Sequence, residues 1–340
     1  MDDILKLFGL FDAKWQTFGT GLINHTWKIY TADRSYILQK INDNVFKQPQ
    51  DIAYNIRLIA NYLKQNHPGY FFVAPVTATD GKDLIYWEGQ GWFRLMPFVE
   101  SSFSFDVVQT PGQAYEAAKQ FGRFTKELSG FNPAHLKITI PHFHDLELRY
   151  RQFLEAISNG NEKRINESKS VIEDLIQYAN IVDEYRNVVS NSQFKLRVTH
   201  HDTKISNVLF NENNKGLCVI DLDTVMPGYF ISDVGDMMRT YLSPVSEEEA
   251  DFEKVLIRNE FYKAITEGYS DEMKDELTGL ERNYFLFAGK FMIYMQALRF
   301  LTDHLNNDIY YGAKYEGHNF IRARNQTTLL QRLDKMEVTV

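Results

Sequence analysis

The segment Thr199-His200-His201-Asp202-Thr203-Lys204-Ile205-Ser206-Asn207 sets an aspartate, a lysine two residues on and an asparagine five residues on in one polar stretch. A short apolar run, Leu217-Cys218-Val219-Ile220, then ends in Asp221, with Asp223 just beyond. Few reactions need groups in that order, and phosphoryl transfer from a nucleotide is the leading one. A hydroxyl acceptor needs a carboxylate to orient it and take its proton, which is the role expected of Asp202. Lys204 can neutralise charge building up on the moving phosphoryl group. Magnesium needs hard oxygen ligands, and the Asn207 amide and the Asp221 carboxylate supply them. If the strand continues past Asp221, Asp223 lies on the same side and can serve as a second or water-mediated ligand. A pair of carboxylates for glycoside cleavage would leave Lys204 and Asn207 without a role. His200 is expected to brace the loop, and the histidines show no zinc-like spacing.

The flanking segments must position these groups. Near the N-terminus, Gly19-Thr20-Gly21-Leu22-Ile23-Asn24 lies between the strand-like runs Trp15–Phe18 and Thr26–Tyr30. A glycine turn between two strands reads as a hairpin and not as the start of a dinucleotide-binding helix. Such a turn can fold over phosphates and offer backbone N–H groups, so Gly19, Gly21 and Asn24 are nucleotide-binding candidates. Ser35–Ile41 is a third strand, and its Lys40 is expected to reach the phosphates; Gln39 falls on the other face. Ile52, Ile56, Ile59 and Leu63 recur at helical spacing, predicting an amphipathic helix from Pro49 to Gln65. Short strands are expected over Phe71–Thr77, Asp83–Trp87 and Gly91–Met96. Strand character stops after Met96, which makes 1–96 a sheet-rich lobe, 97–102 a linker and 103–340 a larger helical lobe. Helices are expected at Gln113–Ser129, Pro141–Ile157, Ile165–Val189, Glu247–Glu267, Asp271–Asn306 and Gly317–Lys335. The fold class is therefore α+β and two-lobed, with a cleft at the linker where ligands bind.

Composition narrows the function classes. A formal charge of −8 argues against a broad footprint for nucleic acid or acidic membranes. The single cysteine, Cys218, excludes an internal disulfide framework and is expected to be a buried, inert thiol. The start Met1-Asp2-Asp3-Ile4 lacks the basic and apolar regions of a signal peptide, and no apolar run is long enough to span a membrane. The resulting expectation is a cytoplasmic enzyme.

Taken together, these residues resemble the aminoglycoside phosphotransferase-like kinases, a two-lobed group related in fold to protein kinases. The pattern H-x-D-x-x-x-x-N is met by His200, Asp202 and Asn207, and the strand-end aspartate by Asp221. Within that group the chain is similar to the N-acetylhexosamine 1-kinases through Tyr36-Ile37-Leu38-Gln39-Lys40-Ile41-Asn42, Ile220-Asp221-Leu222-Asp223-Thr224-Val225-Met226-Pro227-Gly228 and Asp233-Val234-Gly235-Asp236. Arg299-Phe300-Leu301-Thr302-Asp303-His304-Leu305 and Glu316-Gly317-His318-Asn319 extend the likeness. The resemblance implies ATP- and Mg²⁺-dependent phosphorylation of the anomeric hydroxyl of N-acetylglucosamine or N-acetylgalactosamine, with Asp202 taking the proton. It also implies adenine lying against the linker near Met96 and Phe98. The glutamate that pairs with the phosphate-binding lysine in many such kinases is missing from 51–65, where Asn55 is a candidate substitute. Sugar selection is expected from the helical lobe, with Arg299 and Tyr310 as sugar ligands. Asp303, one helical turn after Arg299, and Arg239 are further candidates. Arg299, Arg322 and Arg324 suit a neutral sugar better than an amine. The rival readings are a kinase for an aminoglycoside, choline, homoserine or methylthioribose, and a non-catalytic nucleotide-binding module.

Overall fold

The computed structural model describes residues 1–19 and 24–336. Its N-terminal lobe carries a five-stranded antiparallel sheet. Asp2–Leu7 (α1) precedes Lys14–Thr17 (β1), His25–Tyr30 (β2) and Ser35–Ile41 (β3); Pro49–Asn66 (α2) follows, then Ile85–Trp87 (β4) and Gly91–Pro97 (β5). The sheet order is β1-β2-β3-β5-β4. Phe18 N–H donates to Thr26 O at 2.9 Å and closes the expected hairpin, with Gly19 at φ +74°.

Strand alternation gives this sheet two different faces. Trp27, Leu38 and Leu95 are cross-strand neighbours on one face, and Thr26, Gln39 and Arg94 on the other. The first face is apolar: Ile29, Leu38, Phe93 and Leu95 pack under Ile4, Leu5 and Phe8 from α1 and the residue after it. Phe71–Thr77, expected as a strand, makes only an isolated bridge between Val76 and Leu95. Pro75 has no N–H to give to a ladder, which favours an extended edge segment over a strand.

The second lobe begins with Pro111–Glu127 (α3), started by a Thr110/Gln113 capping box, and Leu146–Asn159 (α4), capped by Asp145. The expected single helix over 165–189 is instead three: Glu162–Glu167 (α5), Lys169–Gln177 (α6) and Asn180–Ser190 (α7). Tight turns at Ser168 and Tyr178 re-aim each short apolar stripe at the core, so packing overrides local propensity. Arg197–Thr199 (β6) pairs with Met226–Gly228 (β9), and Val208–Phe210 (β7) with Gly216–Val219 (β8). Cys218 is buried on β8, and burial pushes its thiol up to about 12.

Phe230–Tyr241 (α8), Asn259–Met273 (α9), Gly279–Arg282 (α10), Phe285–Leu305 (α11) and His318–Asp334 (α12) complete the lobe. The helix expected from Glu247 starts only at Asn259, because Glu247 and Glu248 are taken up by ion pairs to Arg239, Arg322 and Lys314 in the preceding loop. Helix α11 is buried on every side along Phe291-Met292-Ile293-Tyr294-Met295, as the central helix of a bundle must be. Gly235 lets α8 lie directly against α11: a Cβ there would collide with the Ala288 carbonyl. No helix among the described residues is long and apolar enough to cross a membrane.

Helix α2 packs Ile52, Ile56, Ile59 and Leu63 into the core of the second lobe. Asn55, fully buried, fastens it there. Its Nδ2 donates to Lys137 O at 2.9 Å and Val225 O at 3.0 Å, and its Oδ1 accepts from Lys137 N at 2.8 Å. Asn55 therefore does not stand in for the missing glutamate beside Lys40; it joins the lobes. Replacing it strands buried backbone groups without partners. Asn55→Ala should lower stability by about 2–4 kcal/mol in urea denaturation, and a loss below about 0.5 kcal/mol would contradict this role.

Candidate active site

The catalytic loop is held from behind by one carboxylate. Asp233, in the first turn of α8, accepts from His200 N at 3.0 Å and His201 N at 2.7 Å. That double grip stabilises the turn in which His201 takes a left-handed φ of 65°. One turn further on, Asp236 accepts from Thr203 N at 2.8 Å and pairs with Arg239. His200 is buried and braces the loop, with Nε2 lying 2.9 Å from Ile220 O, so the ring donates there. Its Nδ1 is then left to accept from Asp202 N at 3.4 Å. Burial pushes the Asp233 carboxyl up to about 6. The signal that could have marked Asp233 and Asp236 is two carboxylates three apart among the apolar residues of a buried helix, where each must find donors.

Asp202, Lys204 and Asn207 converge as expected for a phosphoryl-transfer site. Asp202 Oδ2 lies 3.0 Å from Lys204 Nζ and accepts from Asn207 Nδ2 at 3.0 Å. Oδ1 has no partner among the described residues, which leaves it for an acceptor hydroxyl. Burial works to raise the Asp202 pKa, but Lys204, then His200 and Asn207, outweigh it and hold the group below the ordinary carboxylate range. Burial likewise opposes the Lys204 charge, and Asp202 and Asp221 outweigh it to raise that pKa.

The 3-10 turn Ile205–Asn207 places Asn207, whose Nδ2 faces Asp202, so its Oδ1 faces away from that carboxylate. Ile220 N donates to Asn207 O at 2.9 Å and brings the approach to Asp221 alongside. Asp221 itself is partly exposed, and no donor among the described residues bonds its carboxylate. Burial, then Asp223 and Asp202, push it up to about 7 against the pull of Lys204 and Arg94. A carboxylate so crowded by negative charge and lacking a donor fits a divalent ion. No three His, Cys, Asp or Glu side chains among the described residues form a metal-binding group. An ion held by Asn207 and Asp221 would therefore complete its shell with phosphate and water oxygens, as Mg²⁺ commonly does.

Asp223 departs from expectation. The strand ends at Val219; Asp221 takes φ 60° and Leu222–Thr224 is a 3-10 turn, so the alternation that would align the two carboxylates is lost. Asp223 is buried and accepts from Asn24 Nδ2 at 2.8 Å, while its other oxygen pairs with Arg94. Asn24, expected at the nucleotide, also accepts from Asn42 N through Oδ1 at 3.0 Å, so its amide is engaged on both sides. Lys40 is the cross-strand neighbour of His25 and Phe93 and lies on the face opposite that of Gln39 and Arg94. Met96 does share the Arg94 face, and Lys28 Nζ sits 3.4 Å from the centre of the Phe98 ring. Gly21 lies outside the described residues.

Arg299 and Tyr310 come together: Arg299 Nη2 lies 3.5 Å from Tyr310 Oη, and its guanidinium carbon 5.4 Å from the Tyr311 ring centre. Arg299 is largely buried yet has no acidic partner among the described residues; Nη1 donates to Gln296 Oε1 at 3.1 Å. Arg149 stands near enough that its pKa is lowered first by burial and then by Arg299. Phe143 and His144 connect this group to the loop, since His144 Nδ1 is 3.3 Å from His201 Nδ1. Asp303 does not face the cleft. It accepts from Tyr310 N at 2.7 Å and Tyr311 N at 2.9 Å and so holds the segment that presents Tyr310. Arg239 is engaged by Asp236 and Glu247, and Arg322 by Glu247.

The family model described as Phosphotransferase enzyme family matches residues 14–273, and the chain belongs to that family. Solved structures share the fold. A microcompartment-associated aminopropanol kinase superposes with a TM-score of 0.65 at 15% identity, over 97% of this chain and 95% of that one. A spectinomycin phosphotransferase solved with ADP and spectinomycin gives 0.61 at 12% identity, over 98% and 96%. An amicoumacin kinase solved with AMP-PNP, Ca²⁺ and its substrate gives 0.60 at 15%, over 94% and 88%.

The raised Asp221 pKa has a measurable sign. The folded protein holds this proton more tightly than the unfolded chain, so the group adds stability as pH falls from about 7 towards 4 and that contribution is lost as pH rises through 7. In chelator, Asp221→Asn should melt roughly 3 °C or more above the parent at pH 8, and the gap should narrow to less than about half by pH 5 and close towards pH 4. A gap that is absent or grows towards pH 5 would refute the crowded-carboxylate account.

Proposed function

We propose that the chain transfers the γ-phosphoryl group of ATP, with Mg²⁺, to the anomeric hydroxyl of an N-acetylhexosamine, N-acetylglucosamine or N-acetylgalactosamine. The observation that carries the kinase reading is the convergence of Lys204 and Asn207 on Asp202, with Asp221 beside them and without a donor among the described residues. Asp202 orients the acceptor hydroxyl and takes its proton as the new O–P bond forms and the bond to the β-phosphate breaks. Because such a transition state is loose, a low-pKa carboxylate that positions the hydroxyl suffices. Lys204 offsets charge on the moving phosphoryl oxygens. A divalent ion held by Asn207 and Asp221 would neutralise the phosphates. Adenine is assigned to the linker end of the cleft, near Met96 and Phe98, and the glycine turn from Gly19 is assigned to the phosphates. ADP and AMP-PNP in two of the similar structures support a nucleotide donor.

The acceptor assignment rests on charge. Arg299, which has no acidic partner among the described residues, lies near enough to Arg149 to lower its pKa, and two such cations would repel an amine and suit the carbonyl and hydroxyl oxygens of an acetamido sugar. Tyr310, with 69% of its surface exposed, offers a ring for stacking. The second reading, an amino-alcohol or aminoglycoside acceptor, draws only on the substrates named for similar structures.

Incubation with ATP, Mg²⁺ and a panel of sugars and amines, followed by ³¹P NMR of the products, should yield a sugar 1-phosphate. A product formed only from an amine-bearing compound would overturn the sugar assignment. Asp202→Asn should lower kcat by about 100-fold or more while nucleotide binding persists. Arg299→Met should raise the acceptor KM about 10-fold or more and leave the ATP KM in place.

A further inference from the structure

We propose that Arg94 of β5, and not a lysine of the third strand, is the cation of the N-terminal lobe that meets the nucleotide's phosphates. The proposal rests on the reading of the cleft as a nucleotide site and names the group that reads the donor there.

Three observations carry it. First, the sheet register assigns the faces. Gln39 and Arg94 are direct cross-strand partners on the face from which Arg94 reaches Asp223, whereas Lys40 shares the other face with His25 and Phe93. A lysine there would have to pass around the sheet to reach a phosphate. Lys28 is on the Arg94 face, but its ammonium is held over the Phe98 ring at the linker end.

Second, Arg94 is held in place. Its Nε donates to Gln39 Oε1 at 2.9 Å and Nη1 pairs with Asp223, leaving Nη2 without a bond among the described residues. A planar guanidinium fixed through two of its nitrogens retains donors on the third that can meet phosphate oxygens. Both side chains of the pair are almost entirely buried, at 5% and 3% exposed. A buried ion pair gains little over well-packed apolar residues, so its stability alone gives no reason for it to sit here.

Third, the pair stands beside the catalytic carboxylates. Asp223 is two residues from Asp221, and the Arg94 charge is close enough to act on Asp221. Asp223 thereby acquires a role other than ion ligand: it positions the arginine. Asn24, on its other oxygen, links the end of the glycine turn to the same carboxylate.

Isothermal titration of the parent, Arg94→Met, Arg94→Lys and Lys40→Met with ATP, ADP and adenosine tests this. Arg94→Met should weaken ATP and ADP binding about 10- to 100-fold and leave adenosine unchanged, with Arg94→Lys in between. A purely structural role for Arg94 would weaken all three ligands alike, and that result would overturn the proposal. Lys40→Met should bind all three as the parent does. Should Arg94→Met not fold, because Asp223 is left unpaired, the double variant Arg94→Met/Asp223→Asn removes both charges and should show the same selective loss. Loss of ATP and ADP binding in Lys40→Met with adenosine retained also overturns the proposal. A parent protein that binds ATP no more tightly than adenosine defeats the nucleotide-donor reading itself and this inference with it.

Discussion

Two consecutive backbone N–H groups, those of His200 and His201, end on the two oxygens of one buried carboxylate, Asp233. Backbone donors in a water-free interior must be paired, and a loop that leaves a strand and turns left-handed has no ladder to pair them. Asp233 supplies the partner from a helix that is itself pinned: α8 lies against α11 so closely that only glycine fits at 235. The position of Asp202 is thus inherited from the packing of two helices, through a carboxylate that touches no reactant. Thr203, bonded to Asp236 and to the Asp233 carbonyl, extends the same support one residue beyond Asp202.

On the open side of the loop the organising constraint is charge. Asp202, Asp221 and Asp223 crowd together and are answered by Lys204 and Arg94, one cation from each lobe. Asp202 and Asp223 each have a partner, and Asp221 has none among the described residues. That inequality separates them electrostatically: two of the negative charges are answered by a neighbour and the third is not.

The parts of the molecule legible in the sequence were those governed by local pattern. The alternation in Ser35–Ile41, the helical spacing of Ile52, Ile56, Ile59 and Leu63, and the spacing from Asp202 to Asn207 each rest on short-range geometry, and each element lies where that geometry puts it. The departures arise from distant contacts. Alternation says that Gln39 and Lys40 face opposite ways but not which way is inward; the apolar cover from α1 puts Lys40 on the covered face and Gln39 on the other. Arg94 was missed because its meaning depends on Asp223, 129 positions away. The left-handed turn at Asp221 could not be read from an apolar run that would equally suit a longer strand. Asp303 looked like a cleft residue by helical spacing, yet the chain beyond α11 folds back and covers it.

That last arrangement has a consequence for how such a protein can change. The stretch that displays Tyr310 is fastened to Asp303 through the amides of Tyr310 and Tyr311, and Asn319 at the start of α12 ties into the same carboxylate. Because backbone atoms form most of these ties, the side chains along the stretch can be exchanged without unfastening it. The central helix supplies the fixed mount, and the strap hung from it can be re-tailored while the loop around Asp202 stays as it is.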